Sequence, residues 1–421
     1  MTDRDQTTEG ATRSPRRLVL TVLVPFALLF ALCNYYRTVN AVLAPHFISD
    51  LSLTAAELGL LVSVYFLVSA LFQAPLGLLM DRFGPRRVQA FLIMIAGIGA
   101  TMFALGESWP VLLAGRAVMG LGAAGGLMTG LMAVTLWFPT ARWPLFNGFV
   151  MALGATGSLV ATEPTQFILD YVDWHHILLG VAAISVIAGG LFLWVVPEKE
   201  RQATLTLKSQ LEGVATIFRD RLFWRFAPMY LTSVGTTMAL QSLWAGPWLH
   251  DVVQLAPDDV ASSLLVMSVL QICSYFLVGV VATELNRRNV PLIRVVLIGS
   301  ALSILSQTPL MWPSGAGHWI VILGLGLLSN MTTLCYPILS KHFPPALTGR
   351  ATTAINMFFF VGAFAMQYMI GIVIDLVPAT TPGHYPVVAY QFAFAMIFTL
   401  QLTAWLWCLV KPRTAVVVAA V

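Results

Sequence analysis

Residues 77–87 read Gly77-Leu78-Leu79-Met80-Asp81-Arg82-Phe83-Gly84-Pro85-Arg86-Arg87, a charged turn punctuated by glycine and proline. Working outward, apolar runs at 58–80 and 88–106 flank it on both sides. Each run is near the roughly 20 residues that a helix needs to cross a hydrocarbon core about 30 Å thick. A charged turn between two such runs joins two membrane helices on one side of a bilayer.

The rest of the chain repeats the pattern. Apolar runs with approximate limits 18–45, 58–80, 88–106, 110–136, 145–168, 174–197, 226–250, 260–283, 291–312, 317–341, 351–376 and 386–410 give twelve spans. They are continuously apolar, whereas strands of a transmembrane barrel alternate in polarity over about 10 residues. The expected fold class is therefore an all-α membrane protein of twelve helices. Composition agrees: of 421 residues, 58% are hydrophobic and 10% charged, against roughly 25% charged in a soluble domain, and the mean hydropathy is +0.82. Such a chain cannot coat a water-soluble globule. Soluble enzymes, nucleic-acid binders and secreted scaffolds are excluded as readings of the whole chain.

The basic residues test the count. Arg4, Arg13, Arg16 and Arg17 precede the first run; Arg82, Arg86 and Arg87 lie in the 2–3 turn; Lys199 to Arg225 fill the segment after the sixth run. With Arg142, Arg287, Arg288, Arg294, Lys341, Arg350, Lys411 and Arg413, every basic residue outside the runs falls on one side of the bilayer. Cytoplasmic loops carry the Lys/Arg excess. Both termini are thus expected in the cytoplasm, with the protein in a bacterial inner membrane and residues 1–17 a retained tail rather than a cleaved signal. Cys33, Cys273, Cys335 and Cys408 each fall inside an apolar stretch without paired spacing, so neither a disulfide framework nor a zinc site is expected.

The polar segment 198–225 divides the chain into a bundle at 18–197 and a second at 226–410, followed by a tail at 411–421. An internal repeat supports the division. Gly77 with Arg86-Arg87 recurs as Gly279 with Arg287-Arg288, Gly120 and Gly122 recur as Gly324 and Gly326, and Phe138-Pro139 recurs as Phe343-Pro344, all at a shift of about 202–205 residues. Parallel six-helix halves suit alternating access, in which two bundles rock about a central site.

The turn quoted first resembles that of the major facilitator superfamily, whose 2–3 loop reads Gly, x, Leu, x, Asp, Arg, x, Gly and then basic residues. Gly77, Leu79, Asp81, Arg82, Gly84, Arg86 and Arg87 carry the match, with Pro85 at a position often basic. The resemblance implies two six-helix bundles related by a pseudo-twofold axis and secondary transport. It also implies that Gly77, Asp81, Arg82, Gly84, Arg86 and Arg87 form a gating latch. Topology alone explains Arg86 and Arg87 but leaves Asp81 without a reason. In the second half Thr283 or Glu284 stands where the Asp would be, so a second latch is not expected.

The fourth span resembles a second pattern of the superfamily, Arg followed by Gly at plus four and plus six, in Arg116, Gly120 and Gly122. A buried Arg costs roughly 2.5 kcal/mol or more on insertion scales, so Arg116 needs a partner or water, either for coupling or to hold packing. Drug/proton antiporters of the superfamily carry Gly-Pro in the fifth span; here Gly148, Gly154 and Gly157 occur, but the proline is Pro164 after Glu163. That weakens multidrug export, which stays as the alternative, a proton-coupled efflux pump for drugs or amphipathic metabolites.

In the first span, Cys33, Tyr36, Arg37 and Asn40 share a face by their spacing of three and four, and Asn34 and Tyr35 lie beside them. The Tyr35-Tyr36-Arg37 run with Pro45 resembles the first helix of organophosphate/phosphate antiporters, where this Arg helps to bind phosphate. An Arg can grip a carboxylate, sulfonate or phosphate through a planar array of donors; otherwise it snorkels to the headgroups. Glu163 is the one carboxylate expected well inside a span, at a depth like that of Arg116 and Arg37. Either the three form a coupling triad, or Arg116 and Glu163 form a static packing pair.

From the second half, Gln241, Trp244, Asn330 and Tyr336 are expected to line the central cavity, because the resemblance implies that helices one, four, seven and ten do so. With Arg37, Tyr36, Asn40 and Asn34 they form the candidate substrate site. No nucleotide loop, metal cluster, catalytic triad or heme spacing appears, so no cofactor or enzymatic activity is expected. The function expected is transport of a small organic anion by a monomer, coupled to protons or to an exchanged anion.

Overall fold

Gly84 interrupts what is otherwise one helical run, Ala55–Ala104, with φ 77° and ψ 156°, a backbone conformation open to glycine and costly for residues with a Cβ. The chain turns there, and the run supplies two crossings, α2 before the kink and α3 after it. In the computed structural model the described residues are 15–139, 142–198, 215–312, 317–379 and 384–410. The C-terminal tail and most of the N-terminal tail and of the 198–225 segment lie outside them.

The first crossing, α1, is Val24–Thr38 continued by Asn40–Leu51. Next come α4, Trp109–Ala123 with Gly126–Trp137, α5, Trp143–Val160 with Glu163–Leu169, and α6, Trp174–Val195. The second bundle opens with α7, which runs Arg221–Ala239, Leu240–Trp244 and Ala245–Asp251. Its remaining helices are α8, Pro257–Arg287, α9, Leu292–Leu305, α10, Gly317–Leu328 through Ser329–Leu334 to Cys335–His342, α11, Pro345–Asp375, and α12, Val387–Leu409. Ten stretches of the described residues are long and apolar enough to cross a membrane. With Ala55–Ala104 counted as two crossings and α7 added, they are consistent with the twelve expected.

Several boundaries differ from the sequence reading. The first helix does not end at Pro45 but continues to Leu51. Proline removes the N–H that would bond the Ala41 carbonyl, and that carbonyl instead backs onto Gly246 of α7, where a methyl group would lie 2.4 Å from the oxygen. The seventh helix begins at Arg221, earlier than 226, because Asp220 caps it by accepting from the N–H groups of Leu222 and Phe223 at 2.8 and 2.9 Å.

Packing within the bundles rests on close backbone approaches. A methyl at Gly120 would lie 2.2 Å from the Tyr65 carbonyl oxygen of α2, and one at Gly122 would lie 2.2 Å from the Ala96 nitrogen of α3. Their repeat mates do the same work with partners exchanged: Gly324 meets Ser306 beside α9 and Gly326 meets Leu270 on α8. Gly77 and its mate Gly279 behave differently, with open space where a Cβ would stand, so close packing does not explain Gly77 in this conformation. Large apolar side chains point outward, including Trp194 at 86% exposure and Leu191 and Ile187 on the same helix, as expected where lipid is the outer solvent.

The two bundles meet along a seam at the ends opposite the 2–3 turn. Besides Gly246 on Ala41, Gly371 of α11 lies against the Ala55 carbonyl, and a methyl there would be 2.4 Å from its oxygen. The Trp244 indole donates to the Gln367 carbonyl at 2.9 Å and packs between Gly59 and Gly371. Tyr385 links both halves: its hydroxyl accepts from the Ala55 N–H at 2.9 Å and donates to Asp375 at 2.6 Å. Burial and this carboxylate push the Tyr385 phenol up to about 12, so the donor stays protonated at neutral pH.

Candidate functional site

Between the bundles, on the 2–3-turn side of the seam, lies a cavity of about 620 Å³. The helices that wall it depart from α geometry near their centres: α1 turns at Val39, α4 at Ala124–Gly125, α7 widens over Leu240–Trp244, and α10 tightens over Ser329–Leu334. Lining positions continue towards the 2–3-turn face, reaching Leu131, Asn147, Gly279 and Thr352. The cavity therefore opens to that face and is shut on the other by the seam.

Arg37 is the only charged side chain among the described residues lining the cavity. It donates to the side-chain Oδ1 of Asn34, and its guanidinium carbon sits 5.6 Å from the centre of the Phe359 ring on α11. Asn34 is itself fixed, donating to the Gly154 carbonyl of α5 at 2.8 Å. The Arg37 Nε is buried without a hydrogen-bond partner, an expensive arrangement unless a ligand completes it. Facing it are the amide-bearing Gln271, Asn330 and Asn356 and the phenols Tyr230, Tyr275 and Tyr336. These are tied together: Tyr336 shares a 2.9 Å bond with Tyr230 and donates to Asn356 at 3.1 Å, while Asn330 donates to the Gln271 carbonyl at 3.2 Å. Phe30, Met128, Leu131, Met151 and Phe360 supply the apolar wall. The arrangement offers one fixed positive charge, neutral hydrogen-bonding groups and an apolar surface.

Of the expected substrate residues, Arg37, Asn34, Asn330 and Tyr336 line this cavity. The others are found elsewhere. The Tyr36 hydroxyl is buried against Ser185 of α6 at 2.8 Å. Asn40 turns back on its own helix, donating to the Arg37 carbonyl at 3.1 Å. Trp244 belongs to the seam. Gln241 stands behind the wall, donating to Gln271 at 2.5 Å. Helical spacing placed Tyr36 and Asn40 with Arg37, but that face is wide and the turn at Val39 rotates the residues beyond it. Gln271 and Tyr275 were recognisable only as polar residues within a span; Phe359, one of three consecutive phenylalanines, gave no signal.

The proposed triad is not formed. Arg116 is 1% exposed, stacked at 5.5 Å on Tyr65 and 5.7 Å on Phe103, with Nε and Nη2 lacking hydrogen-bond partners. Cation–π contacts of this kind reach about 2 kcal/mol when desolvated, comparable to the cost of inserting the charge. Glu163 stands at the start of a short helix after a break at Ala161–Thr162 and is exposed. Among the described residues no ion pair joins it to either arginine.

The 2–3 turn forms a separate polar pocket of about 270 Å³, lined by Asp81, Arg82, Gly84, Arg86, Arg87, Trp137 and Glu198 among others. Glu198, just beyond α6, takes Arg86 at 3.0 Å and Arg87 at 2.7 Å, and Arg86 also donates to the Leu193 carbonyl. The Arg82 guanidinium lies 5.2 Å from the Phe83 ring. Leu193 belongs to the sixth helix, and Glu198 is the first residue of the segment that follows it.

Comparison with known proteins agrees with this architecture. A sequence model of the Major Facilitator Superfamily matches residues 25–367. The probable sulfoacetate transporter SauU of Cupriavidus necator is 24% identical over 84% of this chain and 87% of its own. A D-galactonate transporter of Escherichia coli O6:H1 is 28% identical over 42% of this chain and 41% of its own length. A bacterial homologue of the human lysosomal transporter Spinster, in its inward-facing and unoccupied conformation, superposes with a TM-score of 0.76 at 16% identity, covering 94% of this chain and 97% of that one. The chain therefore belongs to the Major Facilitator Superfamily, as a multi-pass membrane protein and secondary transporter.

Proposed function

We propose that this transporter moves a small organic anion, a carboxylate, sulfonate or phosphate ester, across a bacterial inner membrane by alternating access. The observation that carries the reading is Arg37, alone in charge among the described cavity residues and with a buried Nε left to donate. A single anionic group balances it, and the surrounding amides and phenols are suited to the polar remainder of a small metabolite. Two relatives named for sulfoacetate and D-galactonate transport support the same chemical class.

With both termini in the cytoplasm, as the basic residues argue, the open face is cytoplasmic and this conformation is inward-facing. The transporter works as a monomer, coupled to protons or to an exchanged counter-anion. A thermal-shift screen of detergent-solubilised protein tests the substrate class, since a ligand that binds the folded state stabilises it by mass action. Anionic metabolites should raise the melting temperature and their neutral amide analogues should not. Equal stabilisation by both sinks the proposal.

The apolar wall of phenylalanines and methionines favours a second reading, export of an amphipathic compound. Transport in everted vesicles, absent from right-side-out ones, would select it.

A further inference from the structure

A cluster at the seam end of the second bundle takes no part in the cavity. His250 and Asp251 close α7, and His384 lies in the connection between α11 and α12. The Asp251 carboxylate is 6% exposed, and its Oδ1 meets the Nδ1 atoms of both His250 and His384 at 2.9 Å. Its Oδ2 accepts from the Tyr390 hydroxyl at 2.7 Å. The two imidazoles lie 5.4 Å apart with their planes inclined by 33°, and both are about half exposed.

One ligand atom from each of these three residues lies within 4.8 Å of the others. Two imidazole nitrogens and a carboxylate oxygen are the donor set of an open zinc-type site, with bonds of about 2.0–2.2 Å and a fourth position for water. In a tetrahedral site the ligand atoms stand about 3.3 Å apart, so the 2.9 Å contacts must open by a few tenths of an ångström and the two imidazole nitrogens, within 4.8 Å of each other, must settle at the same spacing. Both histidine rings are about half exposed, which leaves room on the solvent side for that adjustment. Tyr390 supplies what a working site also needs, an outer hydrogen bond that fixes the coordinating carboxylate. We propose that His250 Nδ1, His384 Nδ1 and Asp251 Oδ1 bind one divalent transition-metal ion of the zinc class on the outer face, each imidazole carrying its proton on Nε2. The ion joins the end of α7 to residue 384, next to Tyr385, whose hydroxyl links the two bundles.

The test uses full-length purified protein, stripped with chelator and freed of any affinity tag. Calorimetric titration with Zn²⁺ should give one ion per chain, and Co²⁺ should give the intense visible bands of four-coordinate cobalt. His384→Ala, in a connection rather than a helix, should abolish both, as should His250→Ala. Tyr390→Phe keeps all three ligands and should weaken binding by about 10- to 100-fold. Absence of binding, or binding with stoichiometry and spectrum unchanged in both histidine variants, overturns the proposal and leaves a hydrogen-bonded knot.

Discussion

Arg37 on α1 places its guanidinium carbon 5.6 Å from the ring centre of Phe359 on α11, so the cavity's charge is held by both bundles at once. An anion that engages Arg37 enters a contact shared between the two bundles. A ligand can change the balance between conformations only through contacts that differ between them.

Removing the charge is therefore the most direct perturbation. Hydrogen bonds to charged groups are worth about 1.5–3 kcal/mol, so Arg37→Ala should weaken anion binding by at least about 10- to 100-fold. Arg37→Lys should recover part of it, because a point charge cannot reproduce the planar fork. Ligand titration followed by intrinsic tryptophan fluorescence measures both; undiminished binding in Arg37→Ala would show that the cavity does not bind its ligand through this charge.

The seam gives a second prediction. At Gly371 a side chain would be driven into the Ala55 main chain, which cannot yield as a flexible side chain could. Overpacking of this type costs about 1–3 kcal/mol, and the penalty falls on the sealed state. Gly371→Val should thus favour the conformation open at the seam. A cysteine at Thr237, which lines the cavity, should then react faster with an impermeant thiol reagent added from the seam side. An unchanged rate in the Gly371→Val background counts against the seam as a gate.

Asp81 provides a third. It shares a small pocket with Arg82, Arg86 and Arg87, and Asp81→Asn removes a negative charge there while keeping the shape. Transport should fall severely with expression and melting temperature nearly preserved, since Asp81 is only half-buried and the amide has the shape of the carboxyl it replaces. Wild-type transport in this variant would remove Asp81 from the latch.

How far the sequence could be read depends on what the bilayer enforces. The twelve runs and the charged 2–3 turn were legible because lipid demands an apolar helix of fixed length and tolerates charge only at its ends. Arg37 and Asn34 were legible as cavity-lining residues for the same reason, polar groups in an apolar run needing company. The seam was not. Gly246 and Gly371 read as two glycines among many, and only the approach of another helix's carbonyl gives them meaning. Pro45 read as a stop because its lost hydrogen bond is a local fact, whereas its cover by Gly246 is a tertiary one. Trp244 and Tyr36 were assigned to the cavity by position on helices that do wall it, but their rings face other neighbours.

Glu163 is where sequence and structure part most sharply. Depth along the fifth span made it the natural coupling carboxylate, with Arg116 as its partner. In the fold the helix breaks at Ala161–Thr162, and Glu163 sits exposed in the first turn of the short helix Glu163–Leu169. A carboxylate at that position interacts favourably with the helix N-terminus for about 0.3–1 kcal/mol, a structural reason for its presence that needs no arginine. Arg116 meanwhile is held against the aromatic faces of Tyr65 and Phe103. Glu163→Gln should therefore bind substrate, exchange it in counterflow and accumulate it down a proton gradient as the unaltered protein does, with at most a small fall in melting temperature. Right-side-out vesicles energised by a pH step make the measurement. If accumulation is lost while counterflow persists, Glu163 carries the proton after all, and it must turn inward in the conformation opposite to this one.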